Sequence, residues 1–283
     1  MIKKVFIGAA FLLLSASIIQ PVSAQSIIPQ PESITRQQGT FTLAKGLQGV
    51  TNLKGKDFKI LNQYTSDVMN IPFSSVKNPS ADAPLRLICT GTAQEAAMAA
   101  DSVSLQGYEL NVTPTAVTIQ ARTPMGLFYG LQTLRQLEKD SQIPCVKITD
   151  TPRFAYRGLM IDCSRHFWSK DEIKKQLDAM AYFKLDRFHW HLTDGGGWRM
   201  EVKKYPRLTE ETAYRTESDW TKWWNGNDRQ YSPDPDRLVC WKGMNIHGGY
   251  YTQDDIKEIV DYAAARHITI IPEIEMPGHS DEV

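Results

Sequence analysis

The sequence has no excess of charge of either sign, because 32 Lys and Arg residues balance 32 Asp and Glu residues. A neutral chain gives no electrostatic reason to expect nucleic acid or an anionic membrane as a partner. Low-complexity tracts and internal repeats are also missing, and the apolar content is ordinary for a globular protein. With 283 residues, the chain has room for one large domain or two of ordinary size.

Long apolar runs are missing too, except at the start. There "MIKK" precedes "VFIGAAFLLLSASII", and "VSA" stands before Gln25. This order predicts a signal peptide over residues 1–24 and export to the periplasm or the medium. A buried helix or a membrane anchor is the alternative, but the run is shorter than the roughly 20 residues of a membrane span and ends at Pro21. We expect no membrane contact after cleavage.

Cysteine is scarce, with only Cys89, Cys145, Cys163 and Cys240, and their spacing does not match a metal site. A chain of this length can build a core without disulfides. We therefore expect mostly buried thiols, with one disulfide left open as an alternative for an exported protein.

The region from 25 to 150 predicts a small α+β domain. Strands are expected at Tyr108–Val112 and Ala116–Gln120, on either side of the turn residues Thr113 and Pro114. The next segment spaces leucines three to four residues apart, which predicts an amphipathic helix lying on a sheet; these are Leu127, Leu131, Leu134 and Leu137. No group of titratable residues stands out here, so the predicted role is structural.

The region from 151 to 283 alternates apolar strands with helices. The strands are "YRGLMIDCS", "RFHWHLTD" and "ITIIPEIE", and the helices begin with capping boxes at Ser169/Glu172 and Thr252/Asp255. Near-continuous apolar strands separated by helices predict parallel pairing with both faces of the sheet covered.

Polar residues follow each of these strands, where α/β proteins collect their ligand chemistry. They are Asp162, Arg165 and His166, then Thr193 and Asp194, then Glu275 and His279. Arg165 offers a rigid fork of donors that suits two neighbouring hydroxyls or a carboxylate, and Asp162 or Asp194 are its expected ion-pair partners. Glu275 and His279 flank a Pro-Gly turn, where a carboxylate can fix the tautomer of a histidine.

Two other patterns, a pair of histidines and a glycine-rich loop, are interpreted without a metal or a phosphate ligand. His189 and His191 share one side of a strand and are the pair that a metal-dependent amidohydrolase would use. Catalytic zinc needs three protein ligands, so hydrogen-bonded core or pocket-wall histidines are the preferred interpretation and no metal or other cofactor is predicted. "DGGGWR" lacks the Lys and Ser/Thr of a phosphate loop, and its glycines predict close backbone approach or a tight turn.

Several tryptophans lie in segments predicted to be loops, where they can stack on sugars or simply pack. They are Trp168, Trp198, Trp223, Trp224 and Trp241.

Several stretches together resemble glycoside hydrolase family 20, the β-N-acetylhexosaminidases. They are "GYELNVT", "GLFYGLQTLRQL", "YRGLMIDCSRHF", "KLDRFHWHLTDGGGWRMEVKKYPRLTE" and "GGYYTQDDIKEIVDYAAARHITIIPEIEMPGHS". The resemblance implies an α/β fold: the small domain at 25–150, then the first part of a (β/α)₈ TIM barrel at 151–283. It also implies a glycan partner with a terminal β-linked N-acetylglucosamine or N-acetylgalactosamine, hydrolysed with retention by substrate assistance.

The resemblance also assigns roles to residues. Arg165 matches the arginine that holds the 3- and 4-hydroxyls of the sugar, and Asp194 matches an acid that supports the active-site carboxylates. His279 matches the histidine of a "PGH" motif, and Glu275 its acidic partner. The chain departs from the family in having Gly195-Gly196 where many members have Asp-Gln, and Glu275 where many have Asp.

The catalytic Asp-Glu pair of the family ends the fourth barrel strand, in a "GGDE"-like motif. Asp281-Glu282 directly follows "PGHS" of the third strand, so this pair is interpreted as a coincidence. The resemblance therefore implies that the general-acid Glu and its partner Asp lie beyond Val283.

We accordingly expect no catalytic pair within 1–283, a barrel incomplete after its third strand, and an inactive fragment of a longer hydrolase. A non-catalytic amino-sugar-binding protein on the same scaffold is the alternative. The stretch "WTKWWNGND" at 220–228 is expected to shape binding of the leaving group.

Overall fold

The structure is a computed structural model that describes residues 27–215, 238–241 and 244–280. Four predictions fall outside these ranges: the signal peptide at 1–24, the Trp-rich stretch at 220–228, the interpretation of Asp281-Glu282 as a coincidence, and the location of the catalytic pair beyond Val283. Among the helices in the described ranges, none combines the length and the apolar character that crossing a bilayer requires.

The first part of the chain forms a seven-stranded mixed sheet. Its strands are β1 (Ser33–Thr42), β2 (Gly49–Thr51), β3 (Phe73–Ser75), β4 (Leu85–Cys89), β5 (Tyr108–Val112), β6 (Val117–Ala121) and β7 (Gln142–Asp150). Their order across the sheet is β1-β7-β5-β6-β4-β2-β3. Both predicted strands are confirmed, although the second begins one residue later than expected. Burial alternates along β5, because one face of the sheet packs on the core and the other faces solvent.

Helices α1 (Gly55–Met69), α2 (Ala93–Met98) and α3 (Pro124–Leu137) accompany this sheet. Helix α3 begins with Thr123, whose hydroxyl accepts a hydrogen bond from the Gly126 amide, and with Pro124 in the first turn. The predicted helix and its buried leucines are confirmed, but α3 has no exposed face, since every residue except Arg135 is buried. The reason is that α3 packs against the sheet on one side, while Tyr64 of α1 and His267 of the second part of the chain pack against Phe128.

The second part contains three parallel strands and two helices that connect them. These are β8 (Gly158–Asp162), α4 (Lys170–Tyr182), β9 (Arg187–His191), a later helix over Gln253–Ala264 and a last strand over Thr269–Glu273. Both predicted capping boxes are present. Apolar residues of α4 and of the later helix are completely buried, among them Ile173, Leu177 and Ile259, as the helical spacing predicts.

Short elements lie between β9 and the later helix. They are β10 (Thr193–Asp194), β11 (Gly197–Trp198), α5 (Arg207–Glu210), β12 (Tyr214–Arg215), β13 (Leu238–Trp241) and β14 (Met244–Gly248). The later helix is therefore α6 and the last strand β15. The parallel sheet has the order β15-β9-β8, so β9 is its centre. Its outer strands carry exposed apolar side chains: Leu159 and Met160 on β8, and Ile274 just after β15.

Three basic residues connect the two parts of the chain. The Lys184 ammonium lies 3.3 Å from an Asp150 carboxylate oxygen and donates to the Tyr108 hydroxyl, and burial lowers the pKa of Lys184. Arg157 donates to the Tyr129 hydroxyl of α3 at 2.8 Å. Arg187 donates to the Ala100 carbonyl oxygen. Among the described cysteine side chains, Cys89, Cys145 and Cys163 are free thiols.

Candidate functional site

The polar residues predicted at the strand ends do meet at one edge of the parallel sheet. The strand register sets Asp162 of β8, His191 of β9 and Glu273 of β15 side by side, because each pairs with its neighbour at the last residue of its strand. Side chains at equal height on parallel strands point to the same side. The chain segments that follow these strands bring Arg165, Asp194 and His279 to the same edge.

Arg165 is held between two carboxylates. One terminal guanidinium nitrogen donates to Asp162 at 2.8 Å, and the other lies 2.7 Å from Asp194 Oδ2. Asp162 also accepts a hydrogen bond from the Arg165 backbone amide at 3.0 Å. The planar fork is thereby fixed in direction from two sides. Asp162 and Asp194 were the ion-pair partners expected from the sequence, and the structure shows both at once.

Asp194 is the centre of the cluster. Its side chain is only 5 % exposed, and its Oδ2 atom faces three basic groups: Arg165 at 2.7 Å, His191 Nε2 at 3.1 Å and His279 Nδ1 at 3.3 Å. Its Oδ1 atom accepts a hydrogen bond from the Gly195 amide at 2.7 Å. Burial removes solvent from this carboxylate, and these protein groups take the place of water around it.

The glycines after Asp194 allow the backbone to approach Arg165. A Cβ atom on Gly196 would lie 2.8 Å from the Arg165 Cα and 3.0 Å from the Ser164 carbonyl oxygen, which leaves no space for a side chain. Ser164 adds a hydroxyl that donates to the Asp194 and Gly197 carbonyl oxygens, both at 2.9 Å. This is close backbone approach, one of the two roles predicted for these glycines.

Arg199 connects the loops behind the site. Its side chain is 1 % exposed and donates to five main-chain carbonyl oxygens, which belong to Cys163, Ser164, Gly196, Ala213 and Gly249. The loops after β8, β10 and β14 are thus held by one guanidinium. Its role was not predicted, because a single Arg in "GGGWR" carries no sign of distant carbonyl partners.

Glu273 is a further residue that the sequence interpretation missed. Its Oε2 atom lies 2.5 Å from His189 Nε2 and 3.1 Å from His191 Nδ1. Burial acts to raise the pKa of Glu273, but a hydrogen bond with Glu275 and both imidazoles outweigh it and lower that pKa below its ordinary value. The two-residue period of a strand places Glu273 on the same side as Glu275, and that spacing was the available signal.

Three of these residues have the donor types of a metal site, since His191, Glu273 and Glu275 bring ligand atoms within 4.8 Å of one another. However, the Glu273 oxygen that faces His191 also faces His189 at 2.5 Å. A separation of 2.5 Å fits a direct hydrogen bond between Glu273 and His189, so this oxygen already has a partner outside the three-residue set. The donor set fits an imidazole–carboxylate cluster better than a metal centre.

The four predicted site residues lie close together, but one pairing differs from the expectation. The His279 ring is 65 % exposed and contacts Asp194, and within the described residues no contact joins it to Glu275. The Glu275 backbone amide donates to the Thr193 hydroxyl at 2.7 Å, which attaches the "PGH" turn to β10. Glu275 therefore orders this turn and contacts Glu273, rather than fixing the His279 tautomer.

The tryptophans of the described region differ in role. Trp198 is buried, and its indole donates to the Met200 carbonyl oxygen, so it packs within the fold. Trp168 lies beside Arg165 in an open hollow, with its ring 5.3 Å from the His166 ring in an edge contact. A partly exposed guanidinium beside an aromatic ring suits an uncharged ligand that combines hydroxyls with an apolar face. The side chains of Trp223, Trp224 and Trp241 lie outside the described residues.

Comparisons with known proteins agree with this description. The family described as glycosyl hydrolase family 20, catalytic domain, matches residues 154–283, and glycosyl hydrolase family 20, domain 2, matches residues 24–151. A β-hexosaminidase of Porphyromonas gingivalis is 46% identical over 62% of this chain and 21% of its own length. A β-hexosaminidase of Vibrio furnissii is 33% identical over 90% of this chain and 38% of its own length.

Solved structures give the same result. A Vibrio harveyi exo-β-N-acetylglucosaminidase in complex with N-acetylglucosamine aligns with a TM-score of 0.69 at 29% identity, over 91% of this chain and 37% of that one. A Streptomyces plicatus β-hexosaminidase mutant in complex with the same sugar as product aligns with a TM-score of 0.68 at 30% identity, over 93% of this chain and 48% of that one. The chain thus spans less than half the length of these relatives.

Proposed function

Because this chain belongs to glycosyl hydrolase family 20, we propose that it forms the amino-sugar-binding part of a β-N-acetylhexosaminidase. The substrate is a glycan with a terminal β-linked N-acetylglucosamine or N-acetylgalactosamine. The observation that carries the proposal is the direction of Arg165, which Asp162 and Asp194 fix at the carboxyl end of the parallel sheet. Two relatives with this fold hold N-acetylglucosamine in their solved structures.

Arg165 is proposed to hold the 3- and 4-hydroxyls of the terminal sugar. A guanidinium donates in one plane from neighbouring nitrogens, which matches two oxygens on adjacent ring carbons. The hydroxyls are uncharged, so the two carboxylates, rather than the ligand, balance the Arg165 charge. The ligand therefore needs no charge of its own to balance Arg165.

The proposed reaction is retaining hydrolysis by substrate assistance. The 2-acetamido oxygen of the sugar attacks the anomeric carbon and forms an oxazolinium ion as the glycosidic bond breaks, and water then opens that ion. A general-acid Glu protonates the leaving oxygen, and an adjacent Asp orients the acetamido group.

We assign neither of these two roles to a described residue, and we propose that both acids follow Val283 in the full-length protein. Asp194 and Glu273 already accept contacts from the basic groups around them, which leaves them as supports of the site. Reading the gene past Val283 tests this part of the proposal. A continued reading frame without an adjacent Asp-Glu pair contradicts it.

Residues 1–283 by themselves are proposed to be inactive. The described part of the second region supplies three parallel strands, and a (β/α)₈ barrel closes with eight. Purified 1–283 should release no nitrophenol from 4-nitrophenyl N-acetyl-β-glucosaminide above the blank rate. Measurable release that follows the chain through purification contradicts this part of the proposal.

The reaction itself is tested with the full-length protein that contains this chain. It is assayed on 4-nitrophenyl N-acetyl-β-glucosaminide and on 4-nitrophenyl β-glucoside, which has a hydroxyl in place of the acetamido group. Since the acetamido oxygen is the nucleophile, kcat/KM for the glucoside should be lower by roughly three orders of magnitude or more. Comparable rates on both substrates contradict substrate assistance, and sugar binding without turnover supports a non-catalytic sugar-binding protein.

Arg165 is tested with R165K, which keeps the charge but loses the fork. We expect kcat/KM to fall by roughly 100-fold, or about 2.7 kcal/mol, because one ammonium cannot hold two hydroxyls and two carboxylates in the same plane. R207K is the matched control, since Arg207 lies on the short helix α5 and forms an exposed ion pair with Glu211. An unchanged kcat/KM in R165K contradicts the assigned role.

We also propose that residues 1–24 are a signal peptide and that the mature protein is periplasmic or secreted. The charged start, apolar run and small residues before Gln25 support this. Mass spectrometry of the protein from its native host should show an amino terminus at Gln25. An intact Met1 terminus contradicts the proposal.

A further inference from the structure

Glu273 lies beneath the proposed sugar site, between two histidines that the proposed reaction does not use. One carboxylate oxygen of Glu273 faces His189 at 2.5 Å and His191 at 3.1 Å. His189 and His191 share one side of β9, and Glu273 ends the neighbouring strand β15 at the height of His191. Such an arrangement needs a carboxylate at this position, because both imidazoles have a ring nitrogen directed at it.

We infer that Glu273 is a positioning residue of the sugar site: its carboxylate fixes the His191 ring, which lies against Asp194, the ion-pair partner of Arg165. This inference rests on the proposed function for its effect on the sugar. Its structural part, the fixing of His191, stands on the geometry of the cluster alone.

The first step of this relay concerns the orientation of the His191 ring. The Glu273 Oε2 atom lies 3.1 Å from Nδ1 of His191 and so fixes the direction of that edge of the ring. The same ring presents Nε2 to Asp194 Oδ2 at 3.1 Å. The His191 side chain is 7 % exposed, so the surrounding protein and these two carboxylates set the orientation of the ring.

The second step runs from Asp194 to the sugar. The Asp194 Oδ2 atom that faces His191 is also the atom 2.7 Å from Arg165. A rotation of the His191 ring therefore changes the position of the carboxylate that fixes the Arg165 fork. Misplacement of a binding group by about 1 Å is enough to lower reaction rates by roughly 100-fold.

The charged groups that face this cluster come from every element around it. They are Asp162 on β8 and Arg165 after it, His189 and His191 on β9, Asp194 on β10, and Glu275 and His279 after β15. Glu273 is the member that contacts both histidines of β9. Loss of its charge removes the carboxylate that ring nitrogens of His189 and His191 both face.

The inference is tested in the full-length protein with E273Q and E273D. Gln has nearly the same size, but its amide places donors as well as an acceptor against the two imidazoles. Asp keeps the carboxylate on a shorter stem. E201Q is the control, because the Glu201 side chain caps the Gln253 amide at the start of α6 and belongs to no part of the site.

Two measurements are made on each variant. The first is KM and kcat for 4-nitrophenyl N-acetyl-β-glucosaminide. The second is the ¹⁵N spectrum of protein labelled at histidine, with His191 assigned from H191N, since ring nitrogen shifts report the environment of each nitrogen without any need for turnover. We expect E273Q to lower kcat/KM by roughly 10- to 100-fold, mainly through KM, and to change the His191 Nδ1 and Nε2 shifts. E273D should recover part of both, and E201Q should match the unmodified protein.

Unchanged His191 shifts in E273Q overturn the inference, and so does a kcat/KM within about twofold of the unmodified protein. If E273Q fails to fold, E273D is compared with the unmodified protein instead. Equal kcat/KM and equal His191 shifts in these two proteins then overturn the inference. If the unmodified protein has no turnover on the glucosaminide, the proposed function fails. The His191 spectra then still decide whether Glu273 fixes that ring.

Discussion

Protonation of His267 should destabilise the protein as the pH falls below 6.5. His267 follows helix α6 with a left-handed backbone (φ 55°), and its ring packs 5.2 Å from the Phe128 ring of α3. This ring contact joins the two parts of the chain. Burial lowers the pKa of His267 from its ordinary 6.5 to about 4, because the charged imidazolium is poorly solvated there.

The sign and size of the effect follow from this depressed pKa. The folded protein favours the neutral ring, so above pH 6.5 both folded and unfolded states are neutral and nothing is lost. Between pH 6.5 and about 4 only the unfolded state binds the proton. At about 1.36 kcal/mol per pH unit, the loss reaches about 3.4 kcal/mol. His267 is only half-buried by area, which makes this an upper limit.

The assay is urea unfolding at pH 7.5, 6, 5 and 4, followed by tryptophan fluorescence, for the unmodified protein and H267N. Asn tolerates the left-handed backbone and does not titrate. Carboxylates whose pKa is lowered, such as Asp255 and Glu258 beside Lys170, also make the protein less stable in acid. They are present in both proteins, so their contribution cancels in the difference. From pH 7.5 to 4, the free energy of unfolding of the unmodified protein should fall by about 2–3 kcal/mol relative to that of H267N. A gap that is constant over this range refutes the reasoning.

Two further substitutions test the architecture around the site, and one tests the first sheet. R199M should lower the free energy of unfolding by more than about 3 kcal/mol, because buried carbonyl oxygens of several loops lose their donor; a loss below about 1 kcal/mol in urea unfolding would contradict this. G196A should lower kcat/KM of the full-length protein strongly and its melting temperature only slightly, because the new methyl displaces the backbone at Arg165. Activity equal to that of the unmodified protein would contradict this. L110A should cost about 2–5 kcal/mol because Leu110 is fully buried on a central strand, whereas a cost near zero would mean that the core had refilled.

The sequence predicts local structure well wherever neighbouring residues determine it. The capping boxes at Ser169 and Thr252 involve residues three positions apart, and both are present. Helix α3 shows where such prediction stops. Its leucine spacing indicates one buried face, but contacts from residues such as Arg157 and His267 cover the remaining faces. Burial of that second side depends on distant parts of the chain, which periodicity cannot report.

The site divides in the same way. Arg165 and Asp194 could be predicted to meet because parallel strands bring their carboxyl ends to one edge. The link of His279 to Asp194 across more than eighty residues depends on how the turn after β15 is directed. Glu273 was missed although it is two residues from Glu275, because only the strand register shows that it faces His191.

The order of strands in the first sheet has a consequence for how the chain is made. Strand β7 lies between β1 and β5, so the sheet gains its last strand, the partner of β1, only when Asp150 has been synthesised. At about 5–20 residues per second, the remaining residues to 283 take on the order of ten seconds to synthesise. The second part of the chain, synthesised in that interval, bears Arg157, Lys184 and Arg187, which donate to the Tyr129 hydroxyl, the Tyr108 hydroxyl and the Ala100 carbonyl oxygen. All three acceptors therefore belong to a part of the chain whose residues are complete before these donors are made.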